Sequence, residues 1–224
     1  LNILYNGSIT PGLELVNDIW ATDYAVIAQV NYYLSKVDEL KATGLTQVEE
    51  LELNRYVGEA LFTRAFSYFD LAQRFCDAYT AENIGKEYGG LPLVTKYNPT
   101  DNNSEYPGRS SMEATYKLIL DDLDKAMGYV LAYEAKDSET YPLQYMSSWI
   151  NSDVIKALQA RVALMMNDYS TAFKKSEELI NSNRYPLMSD EAYFASLWSN
   201  DNGTEAIWRV TMSINYLGNA TGSI

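Results

Sequence analysis

From Leu13 onward apolar side chains return at spacings of three and four: Leu13, Val16, Trp20, Ile27, Val30, Leu34 and Val37. A repeat of this kind lines one face of a 3.6-residue turn and predicts a helix over 13–42, ending near Gly44. Thr46, followed three residues later by Glu49, carries a capping-box signature. Behind it Val57, Leu61, Ala65, Tyr68, Ala72 and Phe75 mark the inward face of a second helix over 46–76. Ser110 and Glu113 repeat the signature ahead of Met112, Tyr116, Ile119, Leu123, Met127 and Val130, which predicts a third. Asn151 or Ser152 can cap a fourth, with Val154, Leu158, Arg161, Val162 and Met165 along one side. Asn167–Ser170 interrupts it before a fifth helix that runs to about Ser182, with Ala172, Phe173, Ser176 and Leu179 on its stripe. Residues 205–210, Glu-Ala-Ile-Trp-Arg-Val, have no helical stripe and read as extended chain.

Two stretches break the pattern. Between Phe75 and Ser110, Gly85, Gly89, Gly90, Gly108, Pro92, Pro99 and Pro107 are scattered among Tyr and Asn, predicting a long surface loop in which Gly-Gly-Leu-Pro-Leu-Val at 89–94 is the apolar anchor. A second loop, from Glu134 to Trp149, is rich in Tyr and Ser. The fourth and fifth helices form an Ala-rich hairpin resembling a tetratricopeptide unit, although the consensus Trp and Gly are absent. The expected fold is all-α, with tetratricopeptide-like helix hairpins and long loops. The expected domain is a single helical one over 1–224, part of a larger fold and cut at both ends, since "LNILYNG" is neither a charged nor an apolar leader and "NATGSI" carries no helix cap.

Composition narrows the chemistry. A chain of 224 residues with 47% hydrophobic content can bury one sizeable core. Its net charge of −13 argues against a nucleic-acid partner, which needs clustered Lys and Arg. The sequence contains no His, which removes the commonest general base and metal ligand. The lone Cys76 lies in an apolar helical context and reads as a buried thiol. The acidic cluster Asp121, Asp122 and Asp124 reads as a solvated helix face, because adjacent carboxylates fan around a helix axis. "GKEYGG" lacks the phosphate-loop spacing, and no carboxylate pair is spaced to converge. No metal and no cofactor are expected.

Glu59 and Arg64 stand inside the apolar stretch "GEALFTRAFSYFDLAQRF". Five residues put them about 140° apart on a helix, so Arg55 is the better partner for Glu59, and Arg64 should reach a carboxylate or carbonyl of a neighbouring helix. Both read as structural residues.

"DIWATDYAVIAQVNYYL", "GEALFTRAFSYFDLAQRFCDAY", "GGLPLVTK", "RSSMEATYKLILDDLDKAM", "IKALQARVALMMNDYSTAFKKSEELINSNRYPL" and "EAIWRV" follow one another in an order that resembles the SusD/RagB family of outer-membrane nutrient-binding lipoproteins. The resemblance covers the chain from about Trp20 to Val210, and it places Glu59 and Arg64 in the helical scaffold. It implies a non-enzymatic protein at the cell surface of the outer membrane, held by an N-terminal lipid anchor that is not in this sequence. It also implies an oligosaccharide ligand, less readily a peptide, and a SusC-like TonB-dependent transporter as partner. Where the family commonly has Arg-x-[Thr/Ser]-Lys-x-Ala-Ala, this chain reads "NSDVIKALQA", keeping only the neighbourhood of Lys156, Ala157 and Ala160.

Sugar rings are recognised by flat aromatic faces with a few amides and carboxylates. Trp20, Tyr68, Tyr116 and Trp208 lie on stripes or in the extended segment and read as core. The aromatics off the stripes, Tyr5 with Asn6, Tyr106, Tyr145 and Trp149, are the candidate ligand residues. A tetratricopeptide-like interaction scaffold is the competing reading, and a carboxylate-based glycan hydrolase a third.

Overall fold

The computed structural model describes residues 7, 10, 12–136, 149–188, 190–200 and 204–209. They form helices α1 Glu14–Lys41, α2 Gln47–Phe75, α3 Met112–Glu134, α4 Ser152–Met165, α5 Tyr169–Asn181 and α6 Glu191–Asn200, with a 3-10 turn at Asn103–Glu105. The chain is all-helical among the described residues, apart from one isolated antiparallel bridge between Pro92 and Arg109.

Local chemistry sets the helix ends. Lys41 closes α1, and the chain reverses through Gly44 at φ +83°, a conformation glycine adopts without Cβ strain. Thr46 and Glu49 form a complete capping box at the start of α2, the Glu49 carboxylate accepting the Thr46 N–H at 2.8 Å. The capping expectation at α3 needs correction. Ser111, not Ser110, is the cap, its Oγ accepting the Ala114 N–H at 3.1 Å. Ser110 is committed elsewhere: its carbonyl accepts the Gly90 N–H at 2.8 Å and its own N–H donates to Leu91 at 3.0 Å, so the helix begins one residue later. Asn151 caps α4, and Asp168 caps α5. Helix α6 falls where no helix is expected from the sequence, and the Asp190 Oδ1 that accepts the Tyr193 N–H at 2.8 Å is the cap that announces it.

Side-chain contacts fix the pairing. Trp20 meets Phe75, Tyr24 meets Tyr68, and Asn31 meets Arg64, so numbers climb on α1 as they fall on α2 and the two run antiparallel. Helix α3 returns along α2, with Gly58 against Ala126, Tyr129 and Val130 and Arg64 against Asp122. A Cβ at Gly58 would lie 3.1 Å from that of Tyr129, so the glycine lets these helices approach closely. Helices α4 and α5 form the expected hairpin, bridged by Lys156 and Glu178 at 3.0 Å. Tyr68, Leu91, Ile119 and Leu123 are fully buried among α1, α2, α3 and the 76–111 loop, and Phe62 and Phe69 are buried on the side of α2 that meets α4 and residues 204–209. Trp208 packs edge-on against Phe62 and Phe66 at 5.6 and 5.7 Å, so the non-helical segment 204–209 closes onto α2.

Not every stripe residue goes inward. Arg161 and Met165 are exposed, because α4 turns Val154, Ile155, Leu158 and Val162 toward its neighbours. Phe173 is 67% exposed, since α5 packs only on α4 among the described helices.

The long loop is firmly attached. Tyr68 Oη accepts the Val94 N–H at 2.7 Å, Asn31 donates to the Val94 carbonyl at 2.8 Å, and Tyr24 donates to the Pro92 carbonyl at 2.8 Å. Arg109 holds the loop's far end through the carbonyls of Tyr88 and Phe75. Beyond this anchor the 99–106 tip bonds chiefly to itself, with Glu105 accepting from Asn98 and Asn102 at 3.0 Å each and Tyr106 donating to Thr100 at 2.8 Å. Deleting Pro99–Tyr106 should therefore change the urea midpoint of unfolding little, within the ±0.5 kcal/mol typical of surface changes.

Candidate functional site

The antiparallel pairing of α1 and α2 brings the first turns of one helix beside the last turns of the other. At this open end Thr10, Val16, Asn17, Ile19, Trp20, Arg74 and Phe75 enclose a cleft of about 690 Å³, within the usual range of small-molecule sites. Its wall is aromatic. Trp20 stands edge-on to Phe75 with ring centroids 5.0 Å apart, and tilted on Tyr24 at 4.9 Å. Half-buried, Trp20 packs one side on the core and offers the other to the cleft. Asn17 is exposed one turn before Trp20, and the Arg74 guanidinium is held at the rim by two bonds to Asp70, at 2.7 and 3.0 Å. An apolar wall with an amide and an oriented guanidinium suits a polyhydroxylated ligand.

A second cavity of about 320 Å³ adjoins the first through Arg74 and Ile19, lined also by Asp18, Thr22, Asp23 and Asp70. Burial holds the Asp23 carboxyl above its ordinary range and the nearby Asp70 charge adds to this, against the bond from Ser67 and the charge of Arg74. The expectation that no carboxylates converge is corrected here: Asp23 and Asp70 lie on different helices, and helix pairing, not sequence spacing, brings them together. Asp70 is bound on both oxygens by Arg74.

The acidic cluster on α3 also departs from its expected place. Asp121 pairs with Lys117 at the surface and Asp124 accepts from Gln159 of α4, but Asp122 is only 1% exposed. Arg64 donates to it through Nε and Nη2 at 2.7 and 2.8 Å, and through Nη1 to Asn31 at 2.7 Å and to the Thr95 carbonyl at 3.3 Å. Three helices and the long loop thus share one guanidinium. Buried in the α3 face that meets α2, Asp122 cannot be solvated as the cluster reading supposes.

Glu59 pairs with Arg55 on the same helix. Burial raises the Glu59 carboxyl, and the Arg55 charge opposes that shift. The Arg55 guanidinium lies 4.3 Å from the Tyr56 ring, 4.4 Å from Trp149 and 5.2 Å from Tyr133. Cys76 is half-buried, and its burial raises the thiol despite the nearby Arg109.

The candidate ligand residues therefore separate. Tyr5, Asn6 and Tyr145 lie outside the described residues. Trp149 stacks on Arg55, and Tyr106 stands exposed on the loop tip; neither lines the cleft. The side chains that do line it include Asn17, Trp20 and Arg74. Asn17 and Trp20 share a helix face one turn apart, a signal present in the sequence, whereas Arg74 joins them only through the α1–α2 pairing. Among the described residues no group of three or more acidic or Cys side chains is arranged to hold a metal ion.

Fold and cleft together describe a helical architecture with an aromatic-walled cleft, and comparison with known proteins specifies it. The SusD-like family profile described as "Starch-binding associating with outer membrane" matches residues 2–164. The chain belongs to the SusD-like family. SusD-like protein P38 of Formosa agariphila is 27% identical over 198 residues, covering 88% of this chain and 33% of that protein. A SusD-like carbohydrate binding protein from Bacteroides vulgatus superposes with a TM-score of 0.67 at 26% identity, over 88% of this chain and 37% of that one. A SusD superfamily protein from Bacteroides thetaiotaomicron shares the fold with a TM-score of 0.70 at 24% identity, over 89% and 39% of the two chains. The chain thus spans well under half the length of these relatives.

Proposed function

We propose that this chain is part of a surface glycan-binding protein of an outer-membrane nutrient-uptake system, one that captures oligosaccharide and passes it to a SusC-like TonB-dependent transporter. The observation that carries the reading is the Trp20–Phe75 cleft with Asn17 and Arg74 at its rim, in a chain whose family is described as starch-binding. Attachment to the membrane would come from an N-terminal lipid anchor; among the described residues no helix is long and apolar enough to cross a membrane.

The role is binding without turnover. Glycosidases flank the scissile bond with an acid and a second carboxylate about 5–9.5 Å apart, each free to act. Beside the cleft the described residues bring Asp23 and Asp70 together, and Asp70 is bound on both oxygens by Arg74. Starch and its oligomers incubated with the protein should stay intact by chromatography.

Calorimetry with maltoheptaose tests the capture itself, with a peptide mixture as the competing ligand. Trp20→Ala should weaken maltoheptaose binding about tenfold, the order of ~1.4 kcal/mol for a lost stacking face. Because Trp20 also packs on the core, Asn17→Ala serves as the second variant; Asn17 is exposed, so its loss should weaken binding without moving the melting temperature. Affinity should change little between low and high salt, since stacking is not screened. Peptide binding with no response to maltoheptaose would overturn the glycan assignment.

A further inference from the structure

Helix α1 carries more than one end of a cleft. From Asn17 the exposed positions Ala21, Ala25, Ala28 and Tyr32 follow at steps of four, four, three and four, so they form a single stripe. Fifteen residues of helix separate Asn17 from Tyr32, a rise of about 22 Å and a net turn of about 60°. Between the two, the flank bears only methyl groups. At its far end Tyr32 and Tyr97 are 49% and 45% exposed, and their ring centroids lie 4.9 Å apart at 65°. The two rings make an apolar corner with both rings open to solvent.

That corner is held in place. Tyr32 is fixed by α1, and Tyr97 lies two residues beyond Thr95, whose carbonyl accepts from Arg64. Val94 is fixed by Tyr68 and Asn31. The polar groups beside the corner are paired: Lys36, one turn past Tyr32, donates to Glu39 at 2.9 and 3.1 Å, and Asn98 donates to Glu105 at 3.0 Å. A neutralised Lys36 and a protein charge of −13 both disfavour a polyanionic ligand.

We propose that the Tyr32–Tyr97 corner is a second sugar-stacking site, joined to the Trp20 cleft by the smooth Ala21–Ala25–Ala28 flank, and that the pair selects long neutral glycans lying along α1. The proposal rests on the glycan-capture reading and adds chain length and charge to it. A ligand that reaches only one site gains one set of contacts. One that spans about 22 Å engages the second intramolecularly, at the effective concentration its own backbone sets.

The test compares maltotriose, soluble starch and alginate by calorimetry on wild type, Tyr32→Ala/Tyr97→Ala and Ala25→Arg. Wild type should bind soluble starch at least about tenfold tighter, per chain end, than maltotriose, and alginate weakest. The double Tyr variant should erase the starch advantage while maltotriose still binds at the Trp20 cleft. Ala25→Arg, at an exposed position with good helix propensity, should do the same by obstructing the flank. Equal starch binding by all three proteins, with starch still preferred over alginate, would overturn the second site and leave the cleft reading standing. Loss of maltotriose and starch together in the Tyr variant would also overturn it, because the corner would then not be separate from the cleft. No binding of any glycan by wild type would remove the capture reading itself.

Discussion

Arg64→Ala should destabilise the protein by about 3–5 kcal/mol, the range for breaking a buried ion pair by removing one partner. Asp122 is 1% exposed and loses donors at 2.7 and 2.8 Å, while Asn31 Oδ1 and the Thr95 carbonyl lose the Nη1 bond. A buried carboxylate without its guanidinium has no route to water and must be protonated or drag solvent into the α2–α3 interface. Arg64→Lys should recover only part of the loss, because an ammonium is a point donor and cannot reproduce the planar fork on Asp122 while also reaching Asn31. Urea titration gives the magnitude. A double-mutant cycle with Asp122→Ala gives the coupling, and the double variant should lose less than the sum of the singles. Unchanged melting with loss of glycan binding would instead make Arg64 a ligand residue.

Gly90→Ala is expected to have the second largest effect, about 1–3 kcal/mol and above what a solvent-exposed glycine would show. A Cβ there would come within 2.2 Å of the Ser111 carbonyl oxygen and 2.4 Å of Thr115 Oγ1. Neither atom can give way freely. The Ser111 carbonyl accepts the first backbone bond of α3 from Thr115 at 3.1 Å, and Thr115 Oγ1 accepts the Leu91 N–H at 3.0 Å. The added methyl would therefore push the loop off the helix it anchors to, and with it the Leu91 side chain that fills the core. Gly108→Ala, where nothing lies within 4 Å of the new methyl, is the control and should shift the midpoint by less than ~0.5 kcal/mol. Equal midpoints for the two variants in a thermal melt would show that the loop can retreat from α3 without loss.

Helices α1 to α5 could be read from the sequence because each encodes its own answer locally. An apolar residue every three or four positions, a Thr46–Glu49 box and an Asn151 cap need no tertiary knowledge to be recognised, since they act within a turn or two of where they stand. The same locality explains the errors. On paper Ser110, with Glu113 three residues on, is the better cap, and only its pairing with Gly90 and Leu91 leaves that role to Ser111. Asp122 is indistinguishable from Asp121 and Asp124 by composition, and its burial follows from the face α3 turns toward Arg64, 58 residues away in the chain. Trp149 looked free because nothing near it in sequence claims it, yet Arg55 lies 4.4 Å from its ring.

Residue type and periodicity thus determined on their own that this chain is a set of amphipathic helices with a long loop anchored at Leu91, and that Arg64 needs a partner outside its helix. The burial of an apolar stripe and the satisfaction of a helix end are short-range demands that a sequence states explicitly. The cleft was decided only by tertiary structure. Trp20 and Phe75 are 55 positions apart in number and their rings 5.0 Å apart in space, and the antiparallel packing of α1 on α2 supplies that closeness. So too with Tyr32 and Tyr97, which become neighbours because four side chains from α1 and α2 hold residues 92–95 across α1. Contacts between distant segments depend on how helices pack and where loops are tied down, and those are properties of the assembled core.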